Sequence, residues 1–246
     1  MSVLEEYRVL YESHISNKAK LIIVKYDSIK QQYEYRPYTH IASINAIDQL
    51  SELIIDNIIF YAFSEEEIVE MHNRIGVLDD LKTAAKYALE KRLPKRNNSS
   101  TDGTPGELLL DILIQVYEPL SHKLIARAKF KQMGYNNEIK GYDALYFTQQ
   151  KENISLWLGQ VKTGSCSYCK SSIKSDLNEK YVSDYFMNAI CYIVDKVEKS
   201  SPLLDILKKI NDISYDSYKN NWNQEIKKEK LFDYLKTNNI KHCCPR

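Results

Sequence analysis

Asp143, Gln160 and Lys162 are the residues whose types and spacing best suit chemistry. A carboxylate and an amide carbonyl are hard oxygen donors for a divalent cation. An ammonium two residues further on can orient an attacking water or stabilise the charge of a phosphorane. These are the parts of a metal-dependent phosphodiesterase. The spacing alone is a loose pattern, and its ordinary counterpart is an edge hairpin carrying a solvated lysine.

The elements that must position these groups are two predicted strands, 141–147 and 154–162, in which β-branched and aromatic residues alternate on either side of a polar turn at 148–153. In the second strand one face runs Ile154, Leu156, Leu158 and then becomes Gln160 and Lys162. Burying an amide and an ammonium beside three aliphatics is costly unless they are paired or wet, so the sheet is expected to open into a cleft there. A simple hairpin register places Asp143 across that opening. Upstream, Thr104, Pro105 and Glu107 read as a helix start with a capping box. Glu107 also shares a face with Leu110, Asp111 and Ile114, so its carboxylate has two competing destinations, the cap amide and the sheet.

The chain of 246 residues is long enough to bury an ample core, and its net charge of +1 supplies no global field for a polyanion. Nucleic-acid binding must then rest on local patches. One candidate is the alternating run 123–131, read as a strand with Arg127, Lys129 and Lys131 on one face; together with Lys123 these are the expected DNA-backbone contacts. Five cysteines and an acidic start at Glu5 and Glu6 argue against a secretory peptide and for a reducing cytoplasm. The apolar runs are broken by charge well short of the ~20 residues that span a bilayer, so no membrane partner is expected.

Before the candidate site, an alternating pattern from Tyr7 to Tyr38, clearest at Leu21, Ile22, Ile23 and Val24, predicts a small β unit. Helical spacing then places Ile47, Leu50, Ile54 and Ile58 on one face. Ser64 with Glu67 reads as a capping box, and a third helix runs from Asp79 to Leu93. The division expected is an N-terminal α/β module over 1–94, a linker or mobile loop over 95–105, and a second domain over 106–246. Beyond Lys162 a loop to Ser172 precedes a helix from Ile173 and two more after it, with a last strand beginning at Ile240. Cys166 and Cys169, with His242, Cys243 and Cys244, have the ligand types for zinc but not the spacing of a knuckle, so free thiols are the expectation.

The run Gly106-Glu107-Leu108-Leu109-Leu110, then Gly141-Tyr142-Asp143, then Leu156-Trp157-Leu158-Gly159-Gln160-Val161-Lys162 resembles the HamA family, nuclease subunits of the Hachiman anti-phage system. The last two pieces also look like the PD-(D/E)XK signature. The resemblance implies an α/β protein with a restriction-endonuclease-like core of a helix, a three-stranded mixed sheet and further helices. It implies Mg²⁺-dependent DNA cleavage, with Mn²⁺ as a substitute, and a helicase partner resembling HamB. By position, Glu107 matches the helical acid, Asp143 the metal-binding Asp, Gln160 a site where Glu is more usual, and Lys162 the catalytic Lys. Glu107, Asp143 and Gln160 would then hold the metal. The neutral Gln160 departs from the pattern and implies weaker metal binding or lost catalysis, in which case the chain is a DNA-binding scaffold. The cysteine-rich tail at Cys243 and Cys244 is a second departure and suggests a shortened C-terminus.

Overall fold

The computed structural model describes residues 1–27, 29–30, 34–35, 37–93, 103–118, 120–128, 142–180, 197–199, 201, 203–209, 212, 233–238 and 240–243. The fold is mixed α/β, and the chain divides into two compact units. Met1–Pro119 with Ala126–Glu138 forms the first; Leu120–Ile125 with Ile139–Arg246 forms the second.

The first unit begins with helix where alternation predicts strand. Helix α1 (Val3–Tyr11), a π-helical turn (Glu12–Ser16) and α2 (Asn17–Ile22) follow one another, and β1 (Ile23–Lys25) keeps only the end of the expected strand. Tyr7, Tyr11, Ile15 and Ala19 recur every four residues and are at most 2 % exposed. That spacing makes one helical stripe, and its burial outweighs the β propensity of the run ending at Val24. Strand β1 pairs antiparallel with β4 (Tyr38–His40), while β2 (Ile29–Lys30) pairs with β3 (Glu34–Tyr35).

Four helices complete the wall of this core: α3 (Ala46–Asp56), α4 (Ile58–Ala62), α5 (Glu65–Ile75) and α6 (Leu81–Lys91). Most of the predicted face is used: Leu50 and Ile54 pack against the core, Ile58 at the start of α4 is buried and Leu53 lies beside them, whereas Ile47 near the start of α3 is exposed. The capping box is present on α5, where the Ser64 hydroxyl accepts from Glu67 N–H and the Glu67 carboxylate accepts from Ser64 N–H. Phe60 lies edge-on to Tyr11 at 5.2 Å between ring centroids, the kind of aromatic packing that dominates small cores.

Helix α7 (Thr104–Tyr117) belongs to this unit, its Leu108, Ile112 and Val116 lying in the same core. Compactness thus divides the chain at Pro119, whereas the sequence pattern suggests 94. Of the expected linker, residues 95–102 lie outside the described ones. The N-cap of α7 is Gly103 and no side chain caps it, so Glu107 is not spent on a capping box.

The second unit is built on a four-stranded sheet in the order β5-β6-β7-β8, one strand more than expected. Strands β5 (Ser121–Lys123), β6 (Ala144–Gln150) and β7 (Asn153–Gly159) are antiparallel neighbours; β8 (Ile240–Cys243), the strand expected at the end of the chain, pairs parallel with β7. The hairpin turn is Lys151 and Glu152 alone, with Lys151 left-handed at φ 56°, so Thr148 to Gln150 continue the strand that the polar sequence suggests has ended. Helix α8 (Cys166–Lys180) follows β7 and starts seven residues earlier than predicted. No helix among the described residues is long and apolar enough to cross a membrane.

Of the basic strand expected over 123–131, the described residues 123–128 do not form a continuous strand. β5 ends at Lys123, the chain bends, and Arg127 and Ala128 sit in a 3₁₀ turn. Lys123 and Arg127 are 2 % and 5 % exposed, so they do not make a solvent-facing stripe; Lys129 and Lys131 lie outside the described residues. The alternation of Arg127 with Ala126 and Ala128 mimics a half-buried strand, but Arg127 is itself buried along with the alanines.

Candidate functional site

The predicted face of β7 is observed: Ile154, Leu156 and Leu158 are buried and the residues between them are not. Register pairs Ala144 with Gly159, and Asp143 N–H donates to the Gly159 carbonyl at 2.8 Å as the last rung of the ladder. Beyond it the next strand amide, Val161 N–H, donates to the Asp143 carboxylate at 2.8 Å instead of to a backbone carbonyl. This substitution ends β7 at Gly159, three residues before the predicted end at Lys162. It also fixes Asp143 at the mouth of the hairpin.

The same carboxylate oxygen of Asp143 accepts from the Gln160 amide nitrogen. Gln160 Oε1 in turn accepts from Lys180 Nζ at 3.0 Å. Lys162 Nζ lies 2.8 Å from Asp176 Oδ2, and Lys180 Nζ lies 3.6 Å from Asp176 Oδ1. Two carboxylates, two ammonium groups and one amide therefore form a continuous network of zero net charge. Its amide orientation is fixed by chemistry, since an ammonium can only donate and a carboxylate can only accept. The hydrogen bond to Asp176 holds the Lys162 pKa above the ordinary lysine value, with the charges of Asp176 and Asp143 adding to it and partial burial opposing it. Lys162 is consequently a permanent cation at neutral pH.

Glu107 sits in the first unit and is buried. Its Oε2 accepts from the Tyr61 hydroxyl and lies 3.2 Å from Arg127 Nη2. One turn along α7, Asp111 Oδ2 accepts from Asn57 Nδ2 at 2.7 Å and from Gln115 Nε2 at 2.9 Å, and Gln115 Oε1 accepts from the Tyr7 hydroxyl at 2.6 Å. The described partners of Glu107 are thus Tyr61 and Arg127, and not the cap amide or the sheet, the two destinations expected for it. Three of the four predicted catalytic residues, Asp143, Gln160 and Lys162, come together in the second unit; Glu107 has its described partners in the first.

A family model described as HamA matches residues 11–245. The chain belongs to the HamA family. No curated protein and no solved structure matches it. Membership makes this HamA-family chain a component of a Hachiman anti-phage defence system, and the family match extends over both compact units.

Two members of this network escape a reading of sequence spacing, Asp176 and Lys180. They are four residues apart on α8 and so share a helical face. An Asp-x-x-x-Lys pair is the signal that was available, but it lies beyond a Ser- and Cys-rich stretch with no apolar period. The oxygen donors in the network, two carboxylates and an amide, are hard donors of the kind Mg²⁺ takes, and the Gln160 and Asp176 oxygens are engaged by ammonium groups that a bound cation would displace. Among the described residues no three His, Cys, Asp or Glu side chains are grouped to hold a metal ion, and Cys166 and Cys169 are free thiols at the start of α8.

Proposed function

We propose that this HamA-family chain is the nuclease subunit of its Hachiman system, a Mg²⁺-dependent phosphodiesterase that cleaves DNA and works with a helicase partner. The observation that supports this reading best is the convergence of Asp143, Gln160 and Lys162 at one hairpin mouth with the lysine held charged.

Asp143 and Gln160 would hold the divalent cation. When bound, the cation lowers the pKa of the attacking water and neutralises charge on the phosphoryl oxygens. Lys162 acts as an electrostatic stabiliser. An ammonium whose pKa is raised has no lone pair with which to take a proton, so it meets the extra negative charge of the pentavalent phosphorus and leaves proton removal to another group. Asp143, by accepting from Val161 N–H, sets the direction in which the chain leaves the sheet and thereby where Lys162 begins.

The test is cleavage of plasmid and linear DNA in Mg²⁺ or Mn²⁺, with and without the helicase partner, by wild type and Lys162→Ala. Wild-type cleavage that disappears in a variant with unchanged circular dichroism is expected. Cleavage undiminished in Lys162→Ala would overturn the assignment.

A second reading has its own observation. Gln160 is a neutral donor and its carbonyl oxygen is engaged by Lys180, which suits a subunit that retains DNA binding after losing catalysis. Gln160→Glu separates the two readings: gain of metal-dependent cleavage from an inactive wild type marks a lapsed nuclease.

A further inference from the structure

We infer that Asp176 and Lys180, paired on one face of α8, are positioning residues for the hairpin-mouth site, Asp176 setting Lys162 and Lys180 setting Gln160. As a statement about catalysis this rests on the nuclease reading above; as a statement about side-chain placement it does not.

The geometry divides the work cleanly. Asp176 uses its two oxygens on two different lysines, Oδ2 toward Lys162 at 2.8 Å and Oδ1 toward Lys180 at 3.6 Å. Lys180 passes the same constraint on, donating to Gln160 Oε1 at 3.0 Å and so turning Gln160 Nε2 toward Asp143. A lysine loses rotamer entropy when it is fixed, and a carboxylate waiting at the right place meets that cost before substrate arrives. The side chains of Lys162, Asp176 and Lys180 are 19 %, 12 % and 22 % exposed, so these are not the freely solvated pairs that contribute little.

The helix that carries the pair is itself tied to the hairpin at two points. Cys169 Sγ lies 3.4 Å from the Lys162 carbonyl near the start of α8, and the Tyr142 hydroxyl donates to the Lys180 carbonyl at 2.6 Å. Tyr142 is the neighbour of Asp143. A helix anchored beside Asp143 and beside Lys162 can hold both ammonium groups to a fixed pattern.

The experiment combines side-chain order with kinetics. The mobility of the Lys162 side chain is followed by NMR relaxation of its terminal carbon in the wild-type protein, in Asp176→Asn and in Asp176→Glu, with Lys162→Ala giving the resonance assignment. The wild-type side chain is expected to be more ordered than an exposed lysine such as Lys208, loosened in Asp176→Asn and restored in Asp176→Glu. A wild-type Lys162 as mobile as the exposed lysine overturns the inference even where the variants fail to fold, and so does a folded Asp176→Asn with unchanged order. In DNA cleavage, Asp176→Asn is expected to lower kcat roughly tenfold to a hundredfold with little change in KM, and Asp176→Glu to recover part of it. Normal kcat in a folded Asp176→Asn overturns the catalytic half. If Lys162→Ala cleaves as well as wild type, the nuclease reading fails while the relaxation measurement still decides whether Asp176 sets Lys162.

Discussion

Arg127 Nη2 lies 3.2 Å from Glu107 Oε2, with both side chains under 10 % exposed. This guanidinium, twenty residues along the chain, brings opposite charge to a buried carboxylate that also accepts from the Tyr61 hydroxyl. Removing one partner of such a pair leaves the other desolvated, a loss of about 3–5 kcal/mol. Arg127→Ala is therefore expected to lower the stability of the first unit by that order in urea unfolding. Replacing both residues with apolar ones of similar volume should recover most of it. A loss below about 1 kcal/mol for the single variant would mean that water reaches the pair.

The Tyr7 hydroxyl and Gln115 allow a cleaner measurement, because the 2.6 Å bond between them is buried in the first core. Burial raises the Tyr7 pKa well above the usual tyrosine value, with the nearby Glu65 and Asp111 carboxylates adding to it, so the phenol stays neutral and must donate. Gln115→Leu orphans that donor at a cost of about 1–3 kcal/mol, whereas Tyr7→Phe removes it. The double variant should cost less than the sum of the singles, by about 0.5–3 kcal/mol in a thermal or urea cycle. Simple additivity would show that the hydroxyl finds another acceptor.

How far the sequence reaches can be judged from where each signal lives. The Ser64–Glu67 cap, the alternating face of β7 and the meeting of Asp143 with Gln160 depend on residues close in sequence or joined by a short hairpin, and all three are present. The buried state of Arg127 depends on Glu107 and Tyr61, which no local pattern announces; alternation of Arg127 with alanines is equally a surface strand on paper. At the N-terminus the four-residue spacing of Tyr7, Tyr11, Ile15 and Ala19 was visible, but it competes with a β-branched run, and only packing decides between them. Asp176 and Lys180 were hidden for another reason. Helix α8 begins Cys-Ser-Tyr-Cys-Lys-Ser-Ser, a composition that reads as loop, and its described residues are held by hydrogen bonds at Cys169 and Lys180 more than by an apolar stripe.

A pH dependence follows from the direction of the Lys162 shift. A lysine whose folded pKa is raised contributes stability that is fully present below its unfolded value, near 10.4, and is lost as pH rises through the folded value. The difference in unfolding free energy between wild type and Asp176→Asn should thus stay constant from about pH 6 to about pH 9 and begin to close only above the unfolded lysine value. Chemical unfolding at several pH values across that window checks it. A difference that closes between about pH 7 and pH 9 would mean that Lys162 loses its proton in the neutral range, and the electrostatic role proposed for it would fail.

Gly164 offers a way to disturb the site without touching a charged group. It lies two residues after Lys162 and two before α8, and its φ of +136° is a backbone conformation that side chains rarely adopt. A Cβ there would also stand 3.2 Å from Tyr168 Cδ1, but Tyr168 is exposed and can swing away, so the backbone term dominates. Gly164→Ala is expected to cost about 1–3 kcal/mol. Relaxing that strain rotates the connection that sets Lys162 against Asp176, so cleavage should fall further than stability alone would explain. The control is Gly164→Ala with Tyr168→Ala, which removes the steric contact and leaves the backbone demand in place. Little recovery in the double variant is expected in both unfolding and cleavage assays; full recovery would show that the aromatic contact, and not the left-handed turn, was the constraint.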